Sequence, residues 1–354
     1  MITVGVIVPV HLNVFEKTGI SLLNQGPGPM VDLLGMLTCK AVSAALRLGI
    51  FEAMEDDGRG IDEIAAAAGA DAYGVSLLVG ALENLGYLKQ RRGKYVVTAM
   101  TRKWILRSSP RSIADLFLSF DDMASRWDQL HESIRAGRPP VLGWEWLDQH
   151  PERWDTYHAG LKCTASLVSG ELMRKISLPS SARTILDLGG GHGQYCIEFC
   201  RRYSRLTGTV YDWQPAEAVA RKNIAASGLS GRVAFRAGDF VKEDIGSGYD
   251  VVLMFNIIRI FTARELAPLF RKTFDALNRG GVIIVMDHMG HSSRSRFMRA
   301  NAFLILLEIY NSTIGSTHRA AVVISLLRQA GFSRNRDYSL HRSPGLGLVV
   351  GRKK

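Results

Sequence analysis

Short β-rich runs alternate with helical segments through the second half of the chain, and this rhythm restricts the possible folds more than any other feature. Five such runs follow Pro179, and a stretch suited to a helix or a turn separates each from the next. They are TILDL, LTGTVYDW, RVAFRAG, DVVLMFNII and GVIIVMDH. Strands joined by helical crossovers form a mostly parallel sheet with helices on both faces. The tail, residues 335–354, predicts two more strands, joined at Pro344 and Gly345 as an antiparallel closing hairpin.

The sequence pattern before residue 100 differs from that of the second half of the chain. Apolar residues at helical spacing predict short helices between residues 30 and 85, and YLKQRRGKYVVT predicts a hairpin around Arg92 and Gly93. Helices followed by a hairpin is the order of a winged helix, which reads DNA through Arg, Lys, Asn or Gln on its second helix. Residues 60–88 contain neither Lys nor Arg. We therefore expect this helix pair to pack against protein rather than to bind nucleic acid.

Changes in sequence pattern divide the 354 residues into three predicted parts. Residues 1–110 form an N-terminal helical domain with the winged-helix order. Residues 111–178 form a helical linker, interrupted by the Pro- and Trp-rich joint RAGRPPVLGWEWLDQHPERWDTYHAG. Residues 179–354 form the α/β domain.

Charge and cysteine content limit the class of protein. The formal net charge of +11 permits an anionic ligand, while four scattered cysteines predict neither a disulfide framework nor a metal site. The apolar start MITVGVIVPVHLNVF lacks the basic leading segment of a secretory signal, and no run reaches the ~18 apolar residues that span a bilayer. We expect a cytoplasmic chain without a membrane segment, whose apolar start is a candidate contact with a partner subunit.

A glycine-rich turn follows the first of the five strands. The run LDLGGGHGQ places glycines at alternating positions, Gly189, Gly191 and Gly193. Such a turn lets the backbone approach a ligand closely, and the start of the next helix offers free N–H groups. The spacing does not fit the GxGxxG of dinucleotide enzymes, because Gln194 and Cys196 stand where a third glycine is needed.

Acidic residues follow the next two strands. Asp212 ends the second strand, where a carboxylate can accept hydrogen bonds from both hydroxyls of a ribose. Asp239, after Gly238, can accept from an adenine amino group, with Phe240 or Trp213 against the ring face. The carboxyl ends of these strands meet at the switch point of the sheet, so the set predicts a nucleoside site.

The motifs DLGGGHG, YDW, GDF and FNIIRIF, in this order, resemble those of class I S-adenosylmethionine-dependent methyltransferases. The segments AALRLGIFEAM, IDEIAAAAG, LLVGALENLGYL and YVVT resemble the dimerisation domain of small-molecule O-methyltransferases. The resemblance implies a Rossmann-like domain with a seven-stranded sheet, a winged-helix dimerisation domain before it, and a homodimer. It also implies S-adenosylmethionine as cofactor, S-adenosylhomocysteine as product, and a small-molecule acceptor. The cofactor-binding residues that it implies are Tyr157, Gly189, Gly191, Asp212, Trp213, Gly238, Asp239, Phe240 and Asn256.

Acceptor contacts are also implied by the resemblance. Leu161 replaces a methionine often found near the methionine end of the cofactor, and the helix SRFMRANAFLILLEIYNS lines the acceptor pocket in the family. The candidate acceptor residues on this helix are Asn301, Phe303, Leu304 and Leu307. Three of these four residues are apolar, which predicts a hydrophobic, ring-containing acceptor.

Arg259 departs from the family pattern. The family places a histidine base at the end of NxxH, and this chain has arginine there, three residues after Asn256. Arginine keeps its proton above pH ~12 and only donates hydrogen bonds, so it can bind a carboxylate or stabilise a phenolate but cannot accept a proton. The family's next acid corresponds to Asp287, whereas its downstream glutamate falls at about Thr317.

Three hypotheses about catalysis follow. The acceptor could need no strong base, with Arg259 clamping an anion. Alternatively, Asp287, His288, His291 or His158 serves as base, or the protein binds the cofactor without transferring its methyl group. We predict methyl transfer to a small aromatic or polycyclic metabolite, most often on oxygen in this family. The alternatives are C- or N-methylation, a non-methylating reaction and a winged-helix DNA-binding regulator.

Overall fold

A computed structural model describes residues 18, 29–289, 295–340 and 345–354. The expectations about the apolar start, His291 and Pro344 therefore lie outside the described residues. The chain divides into two compact units, Met1–Asp122 and Met123–Lys354. The first unit extends beyond residue 110, because Ala114 and Leu118 are buried in its hydrophobic core.

The first unit has the predicted order of helices followed by a hairpin. Its elements are α1 (Met30–Arg47), α2 (Ile61–Ala68), α3 (Ala72–Asn84), β1 (Leu88–Arg91), β2 (Lys94–Val97), α4 (Ala99–Trp104) and α5 (Ala114–Asp122). Gly69 ends α2 with a left-handed φ of 60°, and the Asp71 carboxylate caps α3 by accepting from the Gly74 N–H at 2.7 Å. Val79 and Leu82 of α3 are buried in the core of this unit, as expected for a helix that packs against protein.

The second unit begins with helices and continues as an α/β domain. Its helices are α6 (Leu130–Ala136), α7 (Gly143–Gln149), α8 (Trp154–Lys175), α9 (Gln194–Arg202), α10 (Glu217–Ala226), α11 (Ala263–Ala276), α12 (Arg296–Tyr310) and α13 (Ala320–Gln329). Its strands are β3 (Thr184–Leu188), β4 (Thr207–Asp212), β5 (Val233–Ala237), β6 (Tyr249–Phe255), β7 (Leu277–His288), β8 (Ser333–Ser339) and β9 (Leu346–Arg352).

The seven strands form one sheet in the order β5-β4-β3-β6-β7-β9-β8. The first five run parallel, while β9 pairs antiparallel with both β7 and β8. The predicted α/β class, the mostly parallel sheet and the antiparallel closing pair are confirmed. The chain leaves β3 toward β4 on one side and later returns to β6 on the other, so the switch point lies at the carboxyl end of β3.

Both faces of the sheet are buried, as a parallel sheet requires. Alternate residues of β3 illustrate this, since Ile185 belongs to one hydrophobic cluster and Leu186 to the other. Helices α8 and α9 supply much of the first cluster, and α11 and α13 much of the second. Side chains can therefore contact a ligand at the ends of the strands, which carry polar residues.

Among the described helices, none is by itself long and apolar enough to cross a membrane. The bent pair of α2 and α3 has such a composition when taken together. Ile64, Val79 and Leu82 of this pair are fully buried in the core of the first unit.

Candidate active site

The turn between β3 and α9 is shaped by glycine. Gly189, Gly191 and Gly193 have left-handed φ values of 68°, 47° and 72°, a region that disfavours residues with a Cβ. Gly190, which sequence analysis passed over, is fixed for another reason: a Cβ there would lie 2.7 Å from the Asp187 Cγ. The backbone of the turn therefore follows a path that larger residues would disrupt.

Asp212, at the end of β4, faces this turn. Its Oδ2 accepts from the Gly191 N–H at 2.6 Å, and its Oδ1 accepts from the Trp213 N–H at 2.7 Å. Burial raises the pKa of Asp212, and these two donors partly offset the rise. A carboxylate has about four acceptor positions, so each oxygen can accept a further hydrogen bond from a vicinal diol.

The two aromatic residues proposed to cover the nucleoside base have different surroundings. Trp213 is 39% exposed and packs edge-on against Trp144, with ring centroids 6.4 Å apart. Phe240 is 5% exposed and lies in the hydrophobic core, edge-on to Tyr211 and Phe261. Trp213 is thus the more accessible aromatic surface at this end of the sheet.

Asp239 and Gly238 continue the same edge. The Asp239 carboxylate accepts from the Val241 N–H at 3.0 Å and pairs with Lys242 Nζ at 3.1 Å. At Gly238 a Cβ would lie 2.6 Å from both the Tyr211 hydroxyl and Glu243 Oε2. Gly238 therefore serves close packing beneath the strand end, and Asp239 is already paired at the surface.

Asn256 follows β6 with a φ of 58°, which is unusual for a residue other than glycine. Its N–H donates to the Met286 carbonyl at 2.8 Å, and its side chain hydrogen-bonds the Tyr195 hydroxyl. The Tyr195 ring packs edge-on against Phe255 at 4.8 Å. Backbone strain of this kind occurs often at functional sites, and here it aims the turn that carries Arg259.

Arg259 lies on a short 3-10 turn, Ile258–Ile260, and is anchored to Asp287. Its Nε donates to the Asn256 carbonyl at 3.0 Å and lies 3.4 Å from Asp287 Oδ1. Its backbone N–H donates to Asp287 Oδ2 at 3.2 Å, and the His288 N–H donates to Oδ1 at 2.8 Å. Both Asp287 oxygens are therefore engaged in positioning Arg259 and the chain after β7, which makes Asp287 a poor candidate for a free base.

The described histidines near the turn are weak bases. Burial and the charge of Arg259 lower the pKa of His288 to about 3. Burial lowers the pKa of His158 to about 4, with Asp155 opposing the shift. A general base works best with a pKa near the operating pH, so neither imidazole suits that role.

Helix α8 places an aromatic cluster beside the glycine turn. His158 stacks on Trp154 at 5.4 Å and lies 3.7 Å from where a Gly191 Cβ would be. Burial raises the pKa of Tyr157, which also senses the charges of Arg259 and Asp212. The Tyr157 phenol thus lies within electrostatic reach of both the strand-end carboxylate and the arginine, and Leu161 follows it by four residues, one helical turn further along α8.

The predicted acceptor residues of α12 differ in exposure. Asn301 and Leu307 are partly buried, as is Leu161 of α8, while Phe303 and Leu304 are 50% and 53% exposed. Sequence analysis missed two further residues, Glu308 and Arg126. Glu308 lies one turn after Leu304 on the same face of α12, and Arg126 is 5% exposed.

Comparison with known proteins shows which proteins the domain around this site is similar to. Residues 127–333 match the sequence profile of the O-methyltransferase domain. The chain is 29% identical, over 92% of its length and 95% of the relative, to a 3-hydroxy-5-methyl-1-naphthoate 3-O-methyltransferase of Streptomyces sahachiroi. It is 24% identical to an L-tyrosine C(3)-methyltransferase of Streptomyces lavendulae, over 73% of this chain and 74% of that one. The crystal structure of human N-acetylserotonin methyltransferase in complex with SAM superposes with a TM-score of 0.81 at 20% identity, covering 97% of this chain and 99% of that one.

Proposed function

The chain belongs to the O-methyltransferase family, and we propose that it transfers the methyl group of S-adenosylmethionine to an oxygen of a small aromatic metabolite. Membership makes it an S-adenosylmethionine-dependent methyltransferase. The resemblance noted in the motifs, the cofactor and the enzyme class are thereby confirmed. The identity of the acceptor, the roles of individual residues and the assembly state are proposals developed below.

The Asp212 carboxylate carries the cofactor assignment. It is held by the Gly191 and Trp213 N–H groups and keeps acceptor capacity on both oxygens, which fits the two hydroxyls of an adenosine ribose. Gly191 leaves room for the ligand to approach the backbone, while the Cβ position of Gly189 is filled by Ile257. Trp213 can cover the adenine, and Tyr157 can lie near the sulfonium. When bound, S-adenosylmethionine supplies an activated methyl electrophile. The protein is left with the tasks of orientation and water exclusion.

We assign Arg259 to the acceptor oxygen. Its Nε is used to fix the side chain, through the Asn256 carbonyl and Asp287, so the rest of the guanidinium can donate to an oxygen that becomes negative during transfer. Donors aimed at developing charge lower the barrier more than they stabilise the bound substrate. In this proposal Arg259 replaces the family's histidine as a stabiliser of the oxyanion rather than as a base.

An aromatic acceptor is supported by the surroundings and by a relative. The partly buried apolar residues of α12 suit a ring system, and the relative from Streptomyces sahachiroi is named for a hydroxynaphthoate. Methylation of a ring carbon is the second candidate, because another relative is named for the C(3) position of tyrosine. A phenolate can react through oxygen or through its ring carbon, so the same site could serve either outcome.

We also propose a homodimer built through the winged-helix-like first unit. Five large apolar residues of α1 are 46–59% exposed, which is a large apolar surface for a monomer. They are Met30, Leu33, Leu34, Met36 and Leu37. A molar mass of one chain by light scattering would contradict the dimer. All four cysteines are free thiols, which fits a cytoplasmic location, and cell fractionation tests this.

Methyl transfer can be tested with 3-hydroxy-1-naphthoic acid as the acceptor. We expect the chain to add one methyl group from S-adenosylmethionine, seen by mass spectrometry, on the hydroxyl oxygen, located by NMR. Arg259→Gln should lower kcat by about 100-fold, the usual effect of losing one oxyanion donor. Arg271→Gln, at an exposed surface pair with Asp275, is the matched control and should retain wild-type kcat.

Three results would count against parts of this proposal. A methyl group on a ring carbon would assign the second candidate. Wild-type kcat in Arg259→Gln would make Arg259 a bystander. Failure to methylate this acid or any of a panel of phenols, by a chain that binds S-adenosylmethionine, would favour a non-methylating use of the cofactor.

A further inference from the structure

The Tyr157 phenol is influenced by the charges of four other residues. Besides Arg259 and Asp212, its phenol senses the charges of Glu308 and Arg126. Asp212 belongs to the proposed cofactor site, and Arg259 to the proposed acceptor oxygen. Glu308 and Arg126 therefore lie near the reacting centre, yet neither has a role in the function proposed so far.

Glu308 has an oxygen without a partner. Its Oε1 accepts from the Ser312 hydroxyl at 2.8 Å, whereas its Oε2 is buried and has no hydrogen-bond partner among the described residues. Burial raises the pKa of Glu308, and the Ser312 hydrogen bond, the charges of Arg126 and Arg259 and the nearby Trp127 indole oppose the rise. A buried carboxylate oxygen left unpaired is costly, so Oε2 is poised to accept a proton or a hydrogen bond.

Arg126 has a buried donor that is likewise unpaired among the described residues. Its Nη2 donates to the Asn311 carbonyl at 2.8 Å, and the Asn311 side-chain amide donates back to the Arg126 carbonyl at 2.7 Å. This pair of hydrogen bonds fixes the residue, which is 5% exposed. Its Nη1 is buried and, within the described ranges, unpaired. An arginine in this state has one donor group free for an anion.

A short chain of contacts brings the two groups together. The Ser312 hydroxyl bonds Glu308, and the Ser312 carbonyl accepts from the Gly143 N–H at 2.8 Å. A Cβ on Gly143 would lie 3.1 Å from Arg126 Nη1, so this glycine packs directly against that nitrogen. No ion pair joins Arg126 to Glu308, although each senses the charge of the other.

Two buried groups of opposite charge that lie close together without pairing suit a ligand that contacts both. A neutral apolar acceptor would leave both atoms unpaired, which is unfavourable for buried polar groups. A molecule with a hydroxyl for Glu308 Oε2 and an anionic group for Arg126 Nη1 would satisfy both at once. This requirement restricts the class of acceptor more than hydrophobicity alone does.

We propose that Glu308 is the general base of the transfer and that Arg126 binds a carboxylate on the acceptor, which is therefore an aromatic hydroxy acid. The inference rests on the proposed methyltransferase function and names its acceptor class. The acceptor O–H bond breaks and its proton passes to Glu308 Oε2. The oxygen's electron pair forms the bond to the methyl carbon, and the carbon–sulfur electron pair remains on the sulfur of S-adenosylhomocysteine. The proton on Glu308 is later released to solvent.

Matched probes separate the two roles. 3-Hydroxy-1-naphthoic acid and 2-naphthol differ only by the carboxylate. We expect the wild-type chain to prefer the acid by about 100-fold in kcat/KM, and Arg126→Lys, which loses the planar fork, to reduce this preference at least tenfold. Glu308→Gln should lower kcat for both probes by about 100- to 10,000-fold. Arg271→Lys and Glu152→Gln, at exposed positions, are the matched controls.

The pH profile distinguishes a base from a structural residue. The groups that act on Glu308 are Arg126, Arg259, Tyr157, Trp127 and Ser312. Arginine stays charged and Tyr157 stays neutral across the acid range, so the acid limb of kcat should report Glu308 itself. Because burial raises its pKa, activity should fall as pH is lowered through a value above the ordinary pKa of a glutamate. Glu308→Gln should abolish this limb.

Binding gives a readout that does not depend on turnover. Calorimetry of each probe against enzyme saturated with S-adenosylhomocysteine should show tighter binding of the acid than of 2-naphthol, a difference that Arg126→Lys removes and Glu308→Gln keeps. Each variant must bind S-adenosylhomocysteine like the wild type, which shows that it is folded.

Failure of the inference and failure of the proposed function look different. If neither probe binds, or if Arg126→Lys leaves the preference unchanged, the acceptor class is wrong while the methyltransferase function stands. If Glu308→Gln turns over like the wild type, Glu308 is not the base. If the wild-type chain does not bind S-adenosylhomocysteine at all, the proposed function itself fails.

Discussion

Folding changes the ionisation of Asp187, which lies near the site. Solution measurements can detect this change. Asp187 is fully buried behind the glycine turn, its Oδ2 accepts from the Cys196 N–H at 3.2 Å, and its Oδ1 has no partner in the described part of the chain. Burial raises its pKa to about 7, with the Asp212 charge adding to the rise and the Cys196 N–H opposing it.

This shift predicts how stability depends on pH. The unfolded chain releases the Asp187 proton near its ordinary pKa of 3.8, while the folded chain keeps it until about 7. Folding therefore takes up a proton in this window, and the contribution of Asp187 to stability falls as pH rises from about 4 to 7. Asn at this position cannot titrate.

We expect Asp187→Asn to be more favourable at pH 8 than at pH 5, relative to the wild type, by on the order of a few kcal/mol at most. The free energy of unfolding from urea titrations at both pH values measures this. Asp275→Asn, which changes an exposed carboxylate, is the control and should give a much smaller difference. An Asp187→Asn effect that is the same at both pH values would show that Asp187 is ionised in the folded chain at pH 5.

At the residue scale, local chemistry was readable from the sequence and long-range pairing was not. Gly189 and Gly191 were predicted because a tight turn needs their backbone freedom, and Asp212 because it ends a strand beside that turn. Glu308 and Arg126 carried no such signal, because their significance arises from the bond that tethers Arg126 to Asn311, 185 positions apart in the chain. Glu308, the carboxylate proposed as the base, lies on α12 among mostly apolar residues. The sequence pattern of this helix therefore does not single it out.

At the element scale, the loop before α13 holds the turn that carries Arg259. A Cβ on Gly315 would lie 2.1 Å from the Arg259 carbonyl oxygen and 2.7 Å from the Phe261 nitrogen, both backbone atoms. The His318 Nε2 lies 2.8 Å from the Phe261 carbonyl and makes a hydrogen bond with it. The position of Arg259 thus depends on a glycine that is 56 residues later in the sequence (315 minus 259).

Gly315→Ala should therefore reduce both stability and turnover. Backbone atoms cannot move aside cheaply, so we expect a loss of about 1–3 kcal/mol in the free energy of unfolding and a lower kcat. Gly80→Ala is the matched control: it lies within helix α3 with nothing near its Cβ, and should stabilise by up to about 1 kcal/mol. Equal behaviour of the two variants in denaturant titrations would show that the loop yields readily.

Element boundaries were predictable where burial is continuous. TILDL matches β3 residue for residue, because its last four residues are continuously buried and the glycine turn ends it. The division between units was less readable, since α5 joins the first unit through the burial of Ala114 and Leu118. Helical periodicity shows that such a helix has an apolar face but not which core will receive it.

At the scale of the whole molecule, the sequence predicted the α/β class and the family because strand rhythm and motif order are properties of the entire chain. Net charge of +11 was less informative, since it indicates an anion without locating it. The structure places the charges of Arg126, which is buried, and Arg259, which is partly buried, within reach of one phenol. This gives the positive charge a specific proposed use inside the second unit.

The central claim is that the crevice at the ends of β3 and β4 holds an adenosine through Asp212. Calorimetric titration of S-adenosylhomocysteine into the wild type, Asp212→Ala and the surface control Asp275→Ala tests it most directly. We expect binding by the wild type and the control, and at least about 100-fold weaker binding by Asp212→Ala, because two charge-assisted hydrogen bonds are lost. Unchanged affinity in Asp212→Ala, or a wild type that binds NAD instead, would contradict the claim.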